Sequence, residues 1–278
     1  MVAVAPEKKM GGGTIIGDEA STPQILTKIN QVAIPEEQKS LAETFAKPQT
    51  FSTLQEVVDN WLANYTHGEV GIEVFNVNAG SVVASYRSTA QMRPKSIYKL
   101  FYLYDAYAQI DAGLDDPNQP YADGYTLGQC LDVTVRYSNN PCPEKMYDDP
   151  ARSARVAQLI QRVGLANTWP DGLMTSAHDV SLFLQFLYWH PDWSASSWTK
   201  VRETMLNQPY LYRKGLPSGF TTAAVYDKAG WGDGRYNDAA MVEFPNGARY
   251  IVVVMTTNTS YTALAALGRM LERTMLIL

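Results

Sequence analysis

Cysteine and histidine are scarce in this chain of 278 residues, which has two of the first and three of the second. Cys130 and Cys142 match no zinc-ligand spacing, and His67, His178 and His190 are not paired at helical intervals, so the sequence points to no metal. It points to no cofactor either. For the two cysteines the alternatives stand level: a pair of buried free thiols, or a disulfide closing a short loop, the second implying export. No stretch approaches the roughly 20 apolar residues that a membrane-spanning helix needs. The opening "MVAVAPEKKMGGG" holds an apolar patch of only four residues, shorter than the core of a signal peptide. The expectation is a soluble chain, either cytoplasmic or one from which an export signal or N-terminal anchor has been cut, with any membrane attachment depending on that anchor. Positive charge is also in short supply. The net charge is −5 and no basic stripe is present, which argues against a nucleic-acid partner.

Apolar residues, by contrast, are ample at 46% of the chain, enough to bury a full core. Residues 1–50, with Gly11-Gly12-Gly13 and Ser21-Thr22-Pro23, read as a flexible arm or linker. The globular pattern starts at "FSTLQEVVDNWLANY", where Ser52 or Thr53 can cap a helix that brings Leu54, Val57, Val58, Trp61, Leu62 and Tyr65 to one side. "GEVGIEVFNVNAGSVVASY" alternates around a turn and predicts a β-hairpin. Helical segments come next over 97–113, 126–148, 151–164, 176–189 and 198–207, with breaks at Gly, Pro and Asp clusters. Strands return in "TTAAVYDKAGW", "NDAAMVEFP" and "ARYIVVVMTTN", the last two joined by the two-residue hairpin signal Asn246-Gly247. The apolar segment "TALAALGRMLERTMLIL" closes the chain as a helix. The pattern predicts an α+β fold: one antiparallel five-stranded sheet, flanked by the N- and C-terminal helices, with an all-helical lobe inserted over about 97–215. A cleft between lobe and sheet is the natural place for a site.

Within "RPKSIYKLFYLYDAY", Ser96 and Lys99 fall on the same side of a strongly apolar helix. A serine hydroxyl becomes a useful nucleophile when a neighbouring base takes its proton, and a lysine desolvated by apolar surroundings can be that base. The spacing alone is weak support, because "SWTK" at residues 197–200 repeats it in a polar setting where a capping serine and an exposed lysine suffice. The two copies differ in their company further along the chain. After Ser96 come Ser138-Asn139-Asn140, at a helix break before Pro141, and then Lys228-Ala229-Gly230 on a strand. Another Lys-x-Gly, Lys9-Met10-Gly11, lies in the arm.

The order Ser-x-x-Lys, Ser-x-Asn, Lys-x-Gly resembles the signature of the penicillin-recognising serine hydrolases, the class A β-lactamases and penicillin-binding proteins. "YDKAGWGDGRYNDAAMVEFPNGARYIVVVMTTN", with Asn237-Asp238 opening a strand, is similar to the terminal strands of that family. "GIEVFNVNAGSVVASY" resembles its early hairpin and "TSAHDVSLFLQFL" the helix after its active-site loop, so the likeness spans about residues 50–278 in order. The resemblance implies Ser96 as the acylated nucleophile and Lys99 as its proton acceptor or relay. It implies Ser138 as proton donor to the leaving nitrogen, assisted by the charge of Lys228, and Asn140 as a hydrogen-bonding partner of the substrate. The backbone N–H groups of Ser96 and Trp231 would form the oxyanion hole, and the strand through Gly230 and Trp231 would take the substrate as an added strand. The substrate so implied is a small β-lactam or a peptidoglycan peptide, handled by a monomer outside the cytoplasm.

Three positions depart from the family pattern. Class A β-lactamases carry a glutamate on a loop before the helix that here begins at Thr175, to activate the water that releases the acyl group. The interval "ARSARVAQLIQRVGLANTWPDGLMTSAHD" is short and lacks it, leaving Asp171, more readily read as a Pro-Asp-Gly turn residue. Ala229 stands where the family has a hydroxyl residue, and Asn139 where it commonly has aspartate, although both can brace a loop by accepting hydrogen bonds. The leading expectation is a class A-like serine hydrolase with slow deacylation. A D-Ala-D-Ala carboxypeptidase or peptidoglycan-fragment hydrolase, and a non-catalytic penicillin-binding sensor, are the alternatives.

Overall fold

The computed structural model describes residues 50–278 except 67, 170–172, 190 and 191. Almost all of the expected arm, the Lys9-Met10-Gly11 copy, His67, His190 and Asp171 therefore lie outside the described residues. The first helix, α1 (Leu54–Tyr65), starts where its cap predicts: Thr53 Oγ1 accepts from Glu56 N at 3.1 Å, and Glu56 in return accepts from Ser52 N at 2.8 Å. Its apolar side, Leu54, Val57, Val58 and Trp61, is buried.

The predicted hairpin forms β1 (Val70–Asn76) and β2 (Ser81–Tyr86), and the late strands form β5 (Ala224–Gly232), β6 (Arg235–Glu243) and β7 (Arg249–Thr256). A short pair, β3 (Pro120–Ala122) with β4 (Tyr125–Thr126), sits apart. The five long strands make one antiparallel sheet in the order β2-β1-β7-β6-β5. The central strand β7 is buried on both faces, which accounts for its unbroken run Tyr250–Thr256. Ile251, Val253 and Met255 point into the core shared with the helical lobe, and the alternate residues Val252 and Val254 fill the other side. On that other side α1 meets the closing helix α8 (Tyr261–Met275), with Trp61 Nε1 donating to Ala263 O at 2.6 Å.

The lobe contains α2 (Lys99–Asp111), α3 (Leu127–Arg136), α4 (Pro141–Tyr147), α5 (Pro150–Val163), α6 (Ala177–Trp189) and α7 (Ala195–Leu206). Nine consecutive residues of α2, Lys99 to Tyr107, are buried, so this helix is the lobe's axis. Its one buried carboxylate, Asp105, is matched by Arg152 Nη1 at 2.9 Å and Arg155 Nε at 2.5 Å from α5. The stretch 126–148 is two helices, separated at Ser138–Asn140 as the sequence break suggests.

One turn differs from expectation. Asn246-Gly247 does not make a two-residue hairpin: Pro245 fixes the preceding φ, and Gly247 N bonds Phe244 O at 2.9 Å, giving a five-residue loop. The tight two-residue turn is Asp233-Gly234 between β5 and β6, with φ of 49° and 71°.

Candidate active site

β5 is an edge strand, and its free edge runs beside the turn that carries Ser96. Ser96 is on a short 3-10 turn, Lys95–Tyr98, that leads into α2, and its side chain is half-buried. Two features hold this turn against the sheet. Asn237 of β6 donates through Nδ2 to Arg93 O at 3.0 Å while its Oδ1 accepts from Thr256 N at 2.9 Å. Gly230 lets β5 come so near that a Cβ there would lie 2.4 Å from Pro94 O. Lys95 adds an ion pair to Asp233 in the hairpin.

The type I′ turn at Asp233-Gly234 also sets which β5 groups face the open edge. Gly232 and Arg235 close the hairpin as a bonded pair, and alternation along the ladder turns the N–H and C=O of Trp231 and Ala229 away from β6. The Trp231 N–H therefore faces out beside the Ser96 turn. Side chains alternate too: Lys228 and the missing Cβ of Gly230 point to the lobe, Ala229 and Trp231 to the α8 face, where Trp231 meets the Tyr261 ring at 4.5 Å between centroids.

From the lobe side, the Ser138–Asn140 turn closes the site. Ser138 has φ of 51°, a left-handed residue that directs its carbonyl and hydroxyl inward. Asn139 braces the turn: its N–H donates to Val133 O at 3.1 Å and its Oδ1 caps Cys142 N at 3.1 Å. A disulfide between Cys130 of α3 and Cys142 of α4, with Cα atoms 5.4 Å apart, ties together the two helices that flank the turn.

Two lysines converge on this turn. Lys99 Nζ lies 2.7 Å from Ser138 O, 2.9 Å from Asn139 O, 2.7 Å from Asn140 Oδ1 and 3.4 Å from Ser138 Oγ. Lys228 Nζ donates to Ser138 Oγ at 3.0 Å and to Ala229 O at 2.7 Å. Both are buried, Lys99 at 1% exposure and Lys228 at 0%. Burial, and then repulsion by Lys228, pull Lys99 down to about 7, with Glu144 acting in the opposite sense. Burial lowers Lys228 to about 8, opposed by Asp227 and Asp238. The three oxygens close to Lys99 suit an ammonium, so burial and hydrogen bonding pull this group in opposite directions. Among the described residues, no hydrogen-bond partner meets Ser96 Oγ.

The structure thus brings Ser96, Lys99, Ser138, Asn140, Lys228, Gly230 and Trp231 to one place. It also places the two Ser-x-x-Lys copies in different surroundings. Ser197 Oγ donates to Asp111 at 2.9 Å, Ser194 caps α7, and Lys200 is exposed. That pair lines a cavity of about 910 Å³ between α3 and α7, where Asp111 and Asp132 already accept from serines and from Arg136.

Other residues of the site were missed in the sequence. Beneath Lys228 on the α8 face of the sheet, Asp227 and Asp238 are fully buried, and Arg213 Nη1 donates to Asp227 Oδ1 at 2.9 Å. Burial raises Asp227 to about 7, and burial, then repulsion by Asp227, raises Asp238 well above its ordinary value. The adjacency of Asp227 and Lys228 was visible; that Asp238 lies diagonally across the ladder depends on register.

An edge strand, a serine at the start of a buried helix and two lysines around a Ser-x-Asn turn define the class: the serine β-lactamase fold. The chain belongs to the Beta-lactamase enzyme family, which it matches over residues 52–274. Among solved structures it is similar to an ancestral class A β-lactamase (GNCA), at 18% identity and a TM-score of 0.71, covering 79% of this chain and 99% of that one. It is also similar to PBP-A, at 20% identity and a TM-score of 0.70, covering 83% and 98%. A mutant of PBP-A described as an acyl-enzyme complex with penicillin G gives 20% identity and a TM-score of 0.70, covering 81% and 97%. No curated protein matches the chain.

Proposed function

We propose that this protein is a serine hydrolase that opens β-lactam or related amide bonds through an ester on Ser96. The observation that carries this reading is the convergence of Lys99 and Lys228 on the Ser138–Asn140 turn, with Lys99 held near 7 by burial. In its neutral form Lys99 releases one of its turn contacts and offers a lone pair to Ser96 Oγ. As Oγ bonds to the carbonyl carbon, its proton passes to Nζ, and the N–H groups of Ser96 and Trp231 hold the developing oxyanion. Ser138 Oγ, 3.4 Å from Lys99 Nζ and 3.0 Å from Lys228 Nζ, relays a proton to the departing nitrogen as the C–N bond breaks. The charge of Lys228 favours that transfer and attracts a substrate carboxylate. The exposed Asn140, held through Oδ1 by Lys99, presents its Nδ2 to the substrate's acyl side chain. The outward main chain of Ala229 and Trp231 pairs with an extended substrate.

Ala229 offers no hydroxyl to the substrate carboxylate, which favours modest penicillin affinity. The disulfide favours an oxidising compartment outside the cytoplasm. The test is intact mass over time with a chromogenic β-lactam and a fluorescent penicillin. A transient adduct on Ser96 with turnover supports a β-lactamase; a lasting adduct supports a carboxypeptidase or a sensor. No adduct, with Ser96→Ala behaving as wild type, overturns the serine nucleophile.

A further inference from the structure

Release of an ester on Ser96 requires a base for water, and the described part of the segment between α5 and α6 offers none. The nearest carboxylate on α6, Asp179, already accepts from Asn167 N at 2.7 Å and Thr168 Oγ1 at 2.7 Å. We propose that Glu144, on the first turn of α4, is the general base that activates the deacylating water. This proposal rests on the acyl-enzyme reading and names the residue that completes its cycle.

The placement comes from the register of α4. Asn140 is the residue before the helix, and Glu144 N donates to Asn140 O at 3.0 Å, so the two lie one turn apart on the same face. That face looks at the nucleophile's helix. At one end Asn140 Oδ1 contacts Lys99 Nζ at 2.7 Å; three residues beyond Glu144, the Tyr147 ring meets that of Tyr98 at 6.2 Å between centroids. Glu144 lies between these two contacts, opposite the Ser96-to-Lys99 turn. Its neighbours point elsewhere: Lys145 donates to Tyr121 O at 2.6 Å, and Met146 is buried.

Glu144 is also free to hold water. It is exposed, and among the described residues its carboxylate has no hydrogen-bond or ion-pair partner. Its negative charge reaches both Lys99 and Tyr98, favouring the ammonium of one and the neutral phenol of the other. The backbone beneath it is fixed by the Asn139 cap on Cys142 and by the disulfide, which gives a general base the rigid support it needs. In the step itself, water loses a proton to the Glu144 carboxylate and its oxygen bonds to the acyl carbon. The bond from that carbon to Ser96 Oγ then breaks, and Oγ recovers the proton.

The experiment tracks adduct formation and release separately, by intact mass after a single exposure to fluorescent penicillin, for wild type, Glu144→Gln and Glu144→Asp. Because the side chain is exposed and unpartnered, all three should melt alike. Glu144→Gln should acylate within about threefold of wild type and release the adduct about a hundredfold more slowly or worse, with Glu144→Asp in between. Release from Glu144→Gln at the wild-type rate overturns the assignment. So does a wild type that acylates and never releases, although acylation at Ser96 then stands. A wild type that forms no adduct overturns the acyl-enzyme reading and the base together.

Discussion

Lys99 can act as the base only in its neutral form, so the rate of acylation should report its protonation directly. A lysine at its ordinary value of 10.5 is neutral in about one molecule in 3,000 at pH 7. Held at about 7, the same amine is neutral in about half of the molecules, a gain of roughly a thousandfold in competent enzyme. The sign is fixed by the role. Below about 7 the acylation rate should climb about tenfold per pH unit, because the lost proton creates the base. Above about 8 it should fall, because Lys228 then loses the charge that assists Ser138. The assay is single-turnover acylation by fluorescent penicillin from about pH 5 to 9.5, read by stopped flow, a range chosen to bracket both lysines. Replacing Lys228 by Gln removes the repulsion that is the second cause of the low value, so the rising limb should move to higher pH while the maximum rate falls. A rate still climbing tenfold per unit at about pH 9 would mean that the three turn oxygens have kept Lys99 an ordinary ammonium. A flat profile below neutrality would mean that Lys99 is not the base.

Gly230→Ala places a Cβ 2.4 Å from Pro94 O, so β5 must back away from the Ser96 turn by more than half an ångström. Acylation should drop about a hundredfold, with about 1–3 kcal/mol of stability lost to overpacking, and wild-type acylation would refute the close approach. Reduction of Cys130–Cys142, which closes a loop with a separation of 12 residues, should cost about 3 kcal/mol in urea unfolding. Alkylation should label two thiols only after reduction, and labelling of the unreduced protein would refute the bond. Asp105→Ala takes the Nη1 partner from the buried Arg152 but leaves Asp115 on Nη2 at 2.5 Å, and should destabilise by about 1–3 kcal/mol in urea unfolding; a change below about 0.5 kcal/mol would show that Asp115 alone satisfies the guanidinium.

The helices and strands were legible because each segment's apolar period matches its environment. α1 has one buried side and carries a helical stripe; β7 is covered on both faces and shows no alternation. The Asn246-Gly247 turn misled because dipeptide chemistry is local, and Pro245 one residue earlier changes which turn can close. The Asp-Gly pair that does form the tight turn was present in the same string, and strand register chose between the two.

The order and type of most elements, and the residues to which the chemistry is assigned in the proposed function, Ser96, Lys99, Ser138, Asn140 and Lys228, could be picked out in the chain before any fold was known. Spacing alone did not single them out, since "SWTK" repeats it; the order of three short motifs, and its resemblance to that of the penicillin-recognising serine hydrolases, did. The strength of those groups as acids and bases came from packing. Burial and the nearness of Lys228, residues far apart in sequence, draw the Lys99 amine towards neutrality. The packing of Tyr147 of α4 on Tyr98 turns the face of α4 that carries Asn140 and Glu144 towards the Ser96 turn, which is the basis of the role proposed for Glu144. Those properties depend on distance and dielectric, which arise only when remote segments pack.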